Sequence, residues 1–571
     1  MTIQALPDVN HEGEKFRSSS SLVYKSKLLR TNGQSVESQD IERLSLPNQD
    51  DTLDSTTFQA PVSEYSSPFL LPNAPSFFQE SLVVSIIMLA QLLARAGLSQ
   101  AIAPITYIGA TFNTTSPSDT LWFPSAFSLT AGTFILVAGR IGDIIGHKVL
   151  FLYGLVWYAL WSMLAGISAV PHNPSVVFFD FCRAMQGVAA AVLTPTGLAI
   201  LGSMYKPGPR KAKAFSIFGA ATPNGIVLGA LFGSLLAQRT WWPWAYWVLA
   251  IMCVVLATVS WWALPDFQNI KQRKIRANRE EGEAQANRGS EMGEKSFDWW
   301  GSLTGVVGLT LFNVAWNQAP SEGWQTPYII VLLILGVIFI AAFIFVEKRA
   351  SQPLIAIGSM SAEALYVLGC VALGWGNFGV WVYYLWEFLL RLREATPLNV
   401  TAQCVPGTVS GLGAAMMTGF LLSHVKKSYI MVASMLAFCI GNILAATMSV
   451  DETYWRQTFW SVLIMPFDMD LSFPTATLLM SNLLPHGQQG IAASTIAATV
   501  NYSMSLGLGV AGTVEAQVKH GDLLKGFRGG WYTAIGMSGC GVFLAIVHCV
   551  VEWRKSGKIP SEDGTDAGGR Q

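Results

Sequence analysis

Two acids stand two positions apart in the apolar stretch IMPFDMDLSFPT, residues 464–475: Asp468 and Asp470, framed by Pro466 and Pro474. A carboxylate at the centre of a membrane span costs about 2.5–3.5 kcal/mol even on insertion scales. Its presence marks either a water-filled path along which protons or ions move, or a buried pair with a cation. The cations in comparable surroundings are Arg95, flanked by Gln91 and Gln100, and Arg183, followed by Gln186. A third acid, Glu387, closes the aromatic run NFGVWVYYLWEF (377–388), which also holds Asn377, Trp381 and Tyr384. On a helix, Asp468 and Asp470 point about 200° apart. One is therefore expected to line a cavity and the other to bond within its own bundle, unless the prolines distort the helix. The cavity acid is a proton-coupling candidate. Asp468 is favoured because it follows the Pro466 break, with Asp470 and Glu387 as the other candidates. A structural pair of one Asp with Arg95 or Arg183 is the competing reading.

These residues need apolar elements to hold them, and the composition supplies such elements. The 571 residues are 51% hydrophobic and only 13% charged, with mean hydropathy +0.40. A soluble domain carries about 25% charged residues, so the chain reads as an all-α membrane protein. Its formal net charge is zero, which gives no basis for nucleic-acid binding. The seven cysteines all fall in apolar stretches without a CxxC pair, and read as small buried hydrophobes. No nucleophile elbow, HExxH, P-loop or dinucleotide fingerprint occurs, so neither an enzyme nor an ATP-driven pump is expected, and no cofactor or metal.

Residues 1–75 are polar and lack apolar periodicity, the mark of a disordered tail. Apolar runs long enough to span about 30 Å of hydrocarbon follow near 80–108, 119–139, 149–170, 176–203, 213–237, 244–264, 300–318, 327–346, 364–389, 398–422, 428–448, 456–483, 489–513 and 531–551. Fourteen spans put both termini on one side. The basic loops KPGPRKAK (206–213) and KQRKIRANR (271–279) make that side cytoplasmic by the positive-inside rule. The sequons at Asn113 and Asn399 then fall outside, where glycosylation occurs, while Asn501-Tyr502-Ser503 lies within a span.

The turn GRIGDIIGHK (139–148) joins spans 2 and 3. Its glycines allow close approach of helices, and Asp143 suits a helix N-terminus. By spacing alone it is equally an ordinary polar turn. It resembles, however, the G-x-[LI]-[GA]-D-[RK]-x-G-[RK]-[RK] signature of the major facilitator superfamily, through Gly139, Ile141, Gly142, Asp143, Gly146 and Lys148, with Ile144 and His147 departing from it. RAMQG (183–187) resembles the family's R-x-x-Q-G. GIVLGALFGSLLA (225–237) places Gly225, Gly229 and Gly233 on one helix face, either a generic packing stripe or the span-5 motif of proton antiporters, with Ala230 where that motif has Pro. WWPWAYW (241–247) is similar to the W-R-W-x-F entry to span 6, with Pro243 in place of Arg. SFPTAT (472–477) fits the same comparison. The chain as a whole resembles the fourteen-span drug:proton antiporters of fungi, in particular the aminotriazole-resistance-like group.

That resemblance implies a major facilitator fold: an N-terminal six-helix bundle (80–264), a cytoplasmic loop (265–299), two linking spans (300–346), a C-terminal bundle (364–551) and a short cytoplasmic tail (552–571). It implies a conformational latch at Gly139, Gly142, Asp143, Gly146 and Lys148. It implies a central cavity lined by spans 1, 4, 9 and 12, the four spans that hold Arg95, Arg183, Glu387 and the Asp pair. Gln91, Gln100, Gln186, Asn377, Trp381 and Tyr384 join them as substrate-cavity candidates. The expected activity is export of a small drug, toxin or metabolite in exchange for protons, by a monomer in the plasma membrane or, alternatively, the vacuolar membrane. Arg95, where related antiporters tend to carry an acid, argues for an anionic or polar neutral substrate or a changed coupling site. An uptake or bidirectional carrier of a small polar solute such as ammonium or boric acid, and a transport-inactive membrane sensor, are the alternatives.

Overall fold

The computed structural model describes residues 76–114, 117–170, 174–205, 209–265, 298–350, 354–355, 360–483 and 489–556. The expected N-terminal tail, almost all of the 265–299 loop and most of the C-terminal tail lie outside the described residues.

In a bilayer every backbone polar group must be satisfied internally, which leaves helices as the open-chain solution. Among the described residues, fourteen long helices follow the fourteen apolar runs. They are α1 Phe77–Ile102, α2 Trp122–Ile145, α3 His147–Ile167, α4 Val176–Met204, α5 Pro209–Arg239, α6 Pro243–Ala263, α7 Trp299–Glu322, α8 Pro327–Glu347, α9 Ala362–Arg391, α10 Pro397–His424, α11 Lys427–Ala446, α12 Thr458–Leu483, α13 Gln489–Val518 and α14 Leu523–Ser556. Their starts carry ordinary signals. Ser76, Ser175, Asp298, Ser361 and Thr396 cap α1, α4, α7, α9 and α10 by accepting a backbone N–H three residues on. Pro243, Pro327 and Pro397 open α6, α8 and α10, where a missing N–H costs nothing. The Pro243 departure in WWPWAYW is therefore a helix start. The first run breaks at Pro104, beyond which a short helix, Ile105–Thr111, continues. The α2–α3 turn pivots on Gly146, whose φ of 103° is the left-handed conformation that glycine adopts without strain.

Twelve of these helices, among the described residues, are long and apolar enough to cross a membrane by composition alone; α7 and α13 are the two that are not among them. Both carry polar side chains that meet each other. Asn317 Nδ2 of α7 donates to the Ser505 carbonyl of α13 at 3.2 Å, and Ser505 Oγ lies 2.8 Å from Asn313 Oδ1 and 3.0 Å from the Ser125 carbonyl oxygen of α2.

Helix packing repeats at an offset of eight helices. In the first bundle α1 packs on α5, α2 on α4, α3 on α4 and α6, and α1 on α4 and α6. In the second, α9 packs on α13, α10 on α12, α11 on α12 and α14, and α9 on α12 and α14. The bundles meet along α2–α13 and α5–α10, and the α7–α8 pair lies against α13 and α2. Two six-helix bundles with two linking helices is the arrangement expected from the sequence. Close approach depends on glycine at the crossings. A Cβ on Gly132 would lie 2.4 Å from the Tyr502 backbone nitrogen, and one on Gly507 would lie 2.4 Å from the Gly376 carbonyl oxygen.

Candidate functional site

The glycine stripe of α5 sets the position of α1 and so of Arg95. A Cβ on Gly225 would lie 2.6 Å from the Leu92 carbonyl oxygen and 2.8 Å from Arg95 Cβ. One on Gly229 would lie 2.3 Å from the Ala96 carbonyl oxygen, and one on Gly233 3.1 Å from Gln100 Cα. Held there, Arg95 reaches across to the second bundle, where its Nη1 donates to Asn501 Oδ1 of α13 at 3.3 Å. A small cavity of about 10 Å³ adjoins the contact, lined by Ala94, Arg95, Phe127, Ala131, Ile135, Ala190, Thr194 and Asn501. That volume is room for about one water. Gln91, one turn below Arg95, donates to Thr222 Oγ1 at 3.3 Å and accepts from Thr194 Oγ1 at 3.0 Å. Gln100 is buried, and its Nε2 has no hydrogen-bond partner among the described residues.

Arg183 serves a different purpose. It is fully buried, donates through Nε to the Phe123 carbonyl at 3.0 Å and through Nη1 to Gln186 Oε1 at 2.5 Å, and sits 4.9 Å from the Phe127 ring centroid. Gln186 Nε2 passes the chain on to Ser162 Oγ at 2.8 Å. A Cβ on Gly187 would lie 2.2 Å from the Phe127 carbonyl oxygen. The R-x-x-Q-G residues thus tie α2, α3 and α4 together inside the first bundle.

On α12 the two acids diverge as helical geometry requires. Asp468 is fully buried on the face shared with Ser461, Met465 and Ser472, and neither carboxyl oxygen has a hydrogen-bond partner among the described residues. That face meets α9 and α11: Trp381 Nε1 donates to Ser461 Oγ at 2.8 Å, Trp375 Nε1 to Ser472 Oγ at 3.2 Å, and Ser434 Oγ to the Asp468 carbonyl at 2.8 Å. Asp470 is half-buried on the α10 side, 3.4 Å from where a Cβ on Gly411 would stand. Among the described residues no ion pair joins either acid to Arg95 or Arg183.

The profile of the Major Facilitator Superfamily matches residues 84–390. The chain belongs to the major facilitator superfamily. It is 48% identical over 489 residues to the low affinity ammonium transporter of Saccharomyces cerevisiae, covering 85% of this chain and 92% of that protein. It is 40% identical over 476 residues to efflux pump terJ of Aspergillus terreus (83% and 88% covered), and 36% identical over 494 residues to the aminotriazole resistance protein of Saccharomyces cerevisiae (84% and 86%). Among solved structures, the POT family transporter PepTSo matches with TM-score 0.58 at 14% identity, over 84% of this chain and 99% of that one. These comparisons make the protein a membrane transporter of this superfamily and not an enzyme.

The ends of this transporter's α9 and α13 hold residues that sequence reading missed. Tyr383 Oη donates to the Pro117 carbonyl at 2.5 Å and lies 3.0 Å from Thr120 Oγ1, linking α9 to the α1–α2 connection of the other bundle. Glu387 is fully buried and bonded to Arg391 one turn on. Tyr384 Oη donates to Glu515 Oε2 of α13 at 2.9 Å, and Asn377 Nδ2 donates to the Ala534 carbonyl of α14 at 2.8 Å. Tyr384 and Asn377 accordingly sit in contacts within the second bundle. Glu515 leaves no signal in the sequence because the apolar run ends at residue 513, whereas α13 continues to Val518 and buries it. Just beyond α9, Arg393 donates to Thr458 Oγ1 at 3.0 Å and the Ser449 carbonyl at 2.8 Å, and burial lowers its guanidinium below the ordinary arginine range.

At the opposite end of α2, Asp143 is well exposed and lies 3.3 Å from His147 Nε2, while Lys148 Nζ donates to the Leu264 carbonyl past the end of α6 at 2.5 Å. A basic side chain there satisfies a C-terminal carbonyl. Gly139 faces α13, where a Cβ would stand 3.7 Å from Ser494 Oγ. Asn113 and Asn399 are both exposed, and Asn501 is buried.

Proposed function

We propose that this transporter exports a small molecule in exchange for protons by alternating access, with its termini in the cytoplasm and its body in the plasma membrane. One observation carries the reading: Asp468, enclosed on a central helix beside the α9 aromatics, has a carboxyl with no side-chain donor and no cation against it among the described residues. A carboxyl in that setting exchanges a proton when access alternates, where a salt-bridged one would stay ionised. Asp470, on the face toward α10, is the second coupling position; Glu387, paired with Arg391, is the third and would serve only in a state of the cycle that opens that pair. The relatives named as an efflux pump and an aminotriazole resistance protein support the export direction. Excess Lys and Arg in the loops at the Gly146 end supports the orientation, which places Asn113 and Asn399 outside as glycosylation acceptors. The latch at 139–148 closes the cytoplasmic side, and the unit acts as a monomer.

A second reading is favoured by one relative and one dimension. The 48% relative is named as an ammonium transporter, and the cavity between the bundles has room for about one water-sized solute. Proteoliposomes with an imposed pH gradient separate the two. Gradient-driven movement of organic toxicants with no flux of labelled methylammonium supports export; the reverse pattern overturns it in favour of a small-solute carrier. No flux of either class under any gradient would leave a sensor as the surviving reading.

A further inference from the structure

Arg95 is a cation placed where a cation is expensive. Its Nε is buried without a hydrogen-bond partner, and no carboxylate stands within 4.0 Å of its guanidinium among the described residues. Among the described residues its one hydrogen bond goes to a neutral amide oxygen, Asn501 Oδ1 at 3.3 Å, which is long for such a bond. The neighbouring polar groups are engaged elsewhere. Gln91 is held by Thr194 and Thr222, and Asn501 Nδ2 donates to the Ala497 carbonyl at 2.8 Å. The stem of Arg95 is also held, because Gly225 lets α5 press on the Arg95 Cβ and the Leu92 backbone. Beside it lies the cavity, whose other walls are mostly apolar: Ala94, Phe127, Ala131, Ile135 and Ala190. The enclosed space holds about one water in this state, so a fork of donors against an apolar wall fits a planar oxyanion carried on an organic body once the bundles part.

We propose that Arg95 anchors a carboxylate or similar oxyanion of the transported molecule, and that this anion replaces Asn501 on the guanidinium. The proposal rests on the reading that the space between the bundles is the transport path. Arg95 belongs to α1 in the first bundle and Asn501 to α13 in the second. An ionised acceptor forms a stronger bond to a guanidinium than a neutral amide does. Loading the anion therefore breaks a contact between the bundles, and the same step that recognises the substrate frees the bundles to move. An organic cation in the same cavity meets a like charge and leaves the Arg95–Asn501 contact in place.

The test uses the full chain in lipid nanodiscs and three probes of one shape that differ in charge: benzoate, benzamide and benzylammonium, with inorganic phosphate as a fourth, all at equal ionic strength. Binding is read from thermal stabilisation against probe concentration. Benzoate is expected to bind at least about tenfold more tightly than the other two ring compounds, the difference made by a charge-assisted bond. Arg95→Gln should abolish the benzoate response and Arg95→Lys should retain part of it. Asn501→Leu should tighten benzoate binding, because the competing acceptor is gone. Should Arg95→Gln fail to fold, the Lys and Leu variants decide the matter. Equal responses to all three ring probes, or benzoate binding unchanged by the Arg95 and Asn501 substitutions, would overturn the proposal. A response to phosphate without one to benzoate would overturn the organic-anion assignment. The assay needs no pH gradient, so intact Arg95-dependent binding alongside absent proton-driven flux would refute only the exchange reading.

Discussion

At the scale of single residues, charges in this transporter differ in whether their contacts stay within one bundle. Arg183 has a carbonyl, an amide and an aromatic face of its own bundle around it, although its Nη2 has no partner among the described residues, and its replacement would leave the Gln186–Ser162 chain broken inside the first bundle. Asp468 and Arg95 have no opposite charge beside them, which is the arrangement expected of groups that meet a mobile proton or ligand. Asp143 differs from all three. It is exposed and meets only His147 among the ion pairs of the described residues. If it latches the cytoplasmic side in another state of the cycle, Asp143→Asn should express normally and keep its melting temperature, yet slow turnover by about tenfold, the effect of losing a charge-assisted contact. Initial transport rates in vesicles check this, and wild-type kinetics in that variant would refute the latch role.

Among elements, the α1–α5 contact governs the site. Three glycines of α5 meet the α1 backbone, and a side chain at Gly229 would have to occupy the Ala96 carbonyl oxygen. Gly229→Leu should therefore separate the helices, displace Arg95 and abolish transport or folding. Gly536→Leu, with open space around it, is the matched control and should express and transport as wild type. A well-folded, fully active Gly229→Leu protein would show that the crossing tolerates separation. This stripe was legible in the sequence because four-residue spacing of glycine has a physical meaning on a helix. So were the helices themselves, since length and apolarity locate most of the spans, α7 and α13 being the less apolar two. What escaped was of another kind. Pro104 splits the first run into a long and a short helix, and α13 outlasts its apolar stretch by burying Glu515 against Tyr384. Polar uncharged residues such as Thr120, Tyr383 and Asn501 leave no periodic trace. Their roles arise only when the second bundle is set against the first.

The whole molecule is two copies of one packing scheme joined along α2–α13 and α5–α10, with α7 bonded across the α2–α13 seam through Ser505. Contacts between the bundles occur at several depths: Tyr383 with Pro117 and Thr120, Ser234 with Thr401 at 2.9 Å, and Arg95 with Asn501. Under the proposed alternating access these contacts break and re-form in the cycle, and under the proposed exchange the free energy for opening comes from substrate and proton binding. The most direct measurement is transport by Asp468→Asn and Asp470→Asn proteins in reconstituted vesicles, comparing accumulation driven by a pH gradient with substrate exchange at equal pH. The account predicts that one variant loses gradient-driven accumulation while keeping exchange, which needs no net proton movement. Asp468→Asn is the expected one, and Asp470→Asn should mainly reduce folding yield. Full gradient-driven accumulation in both variants would contradict proton coupling through α12 and leave Glu387 as the next acid to test.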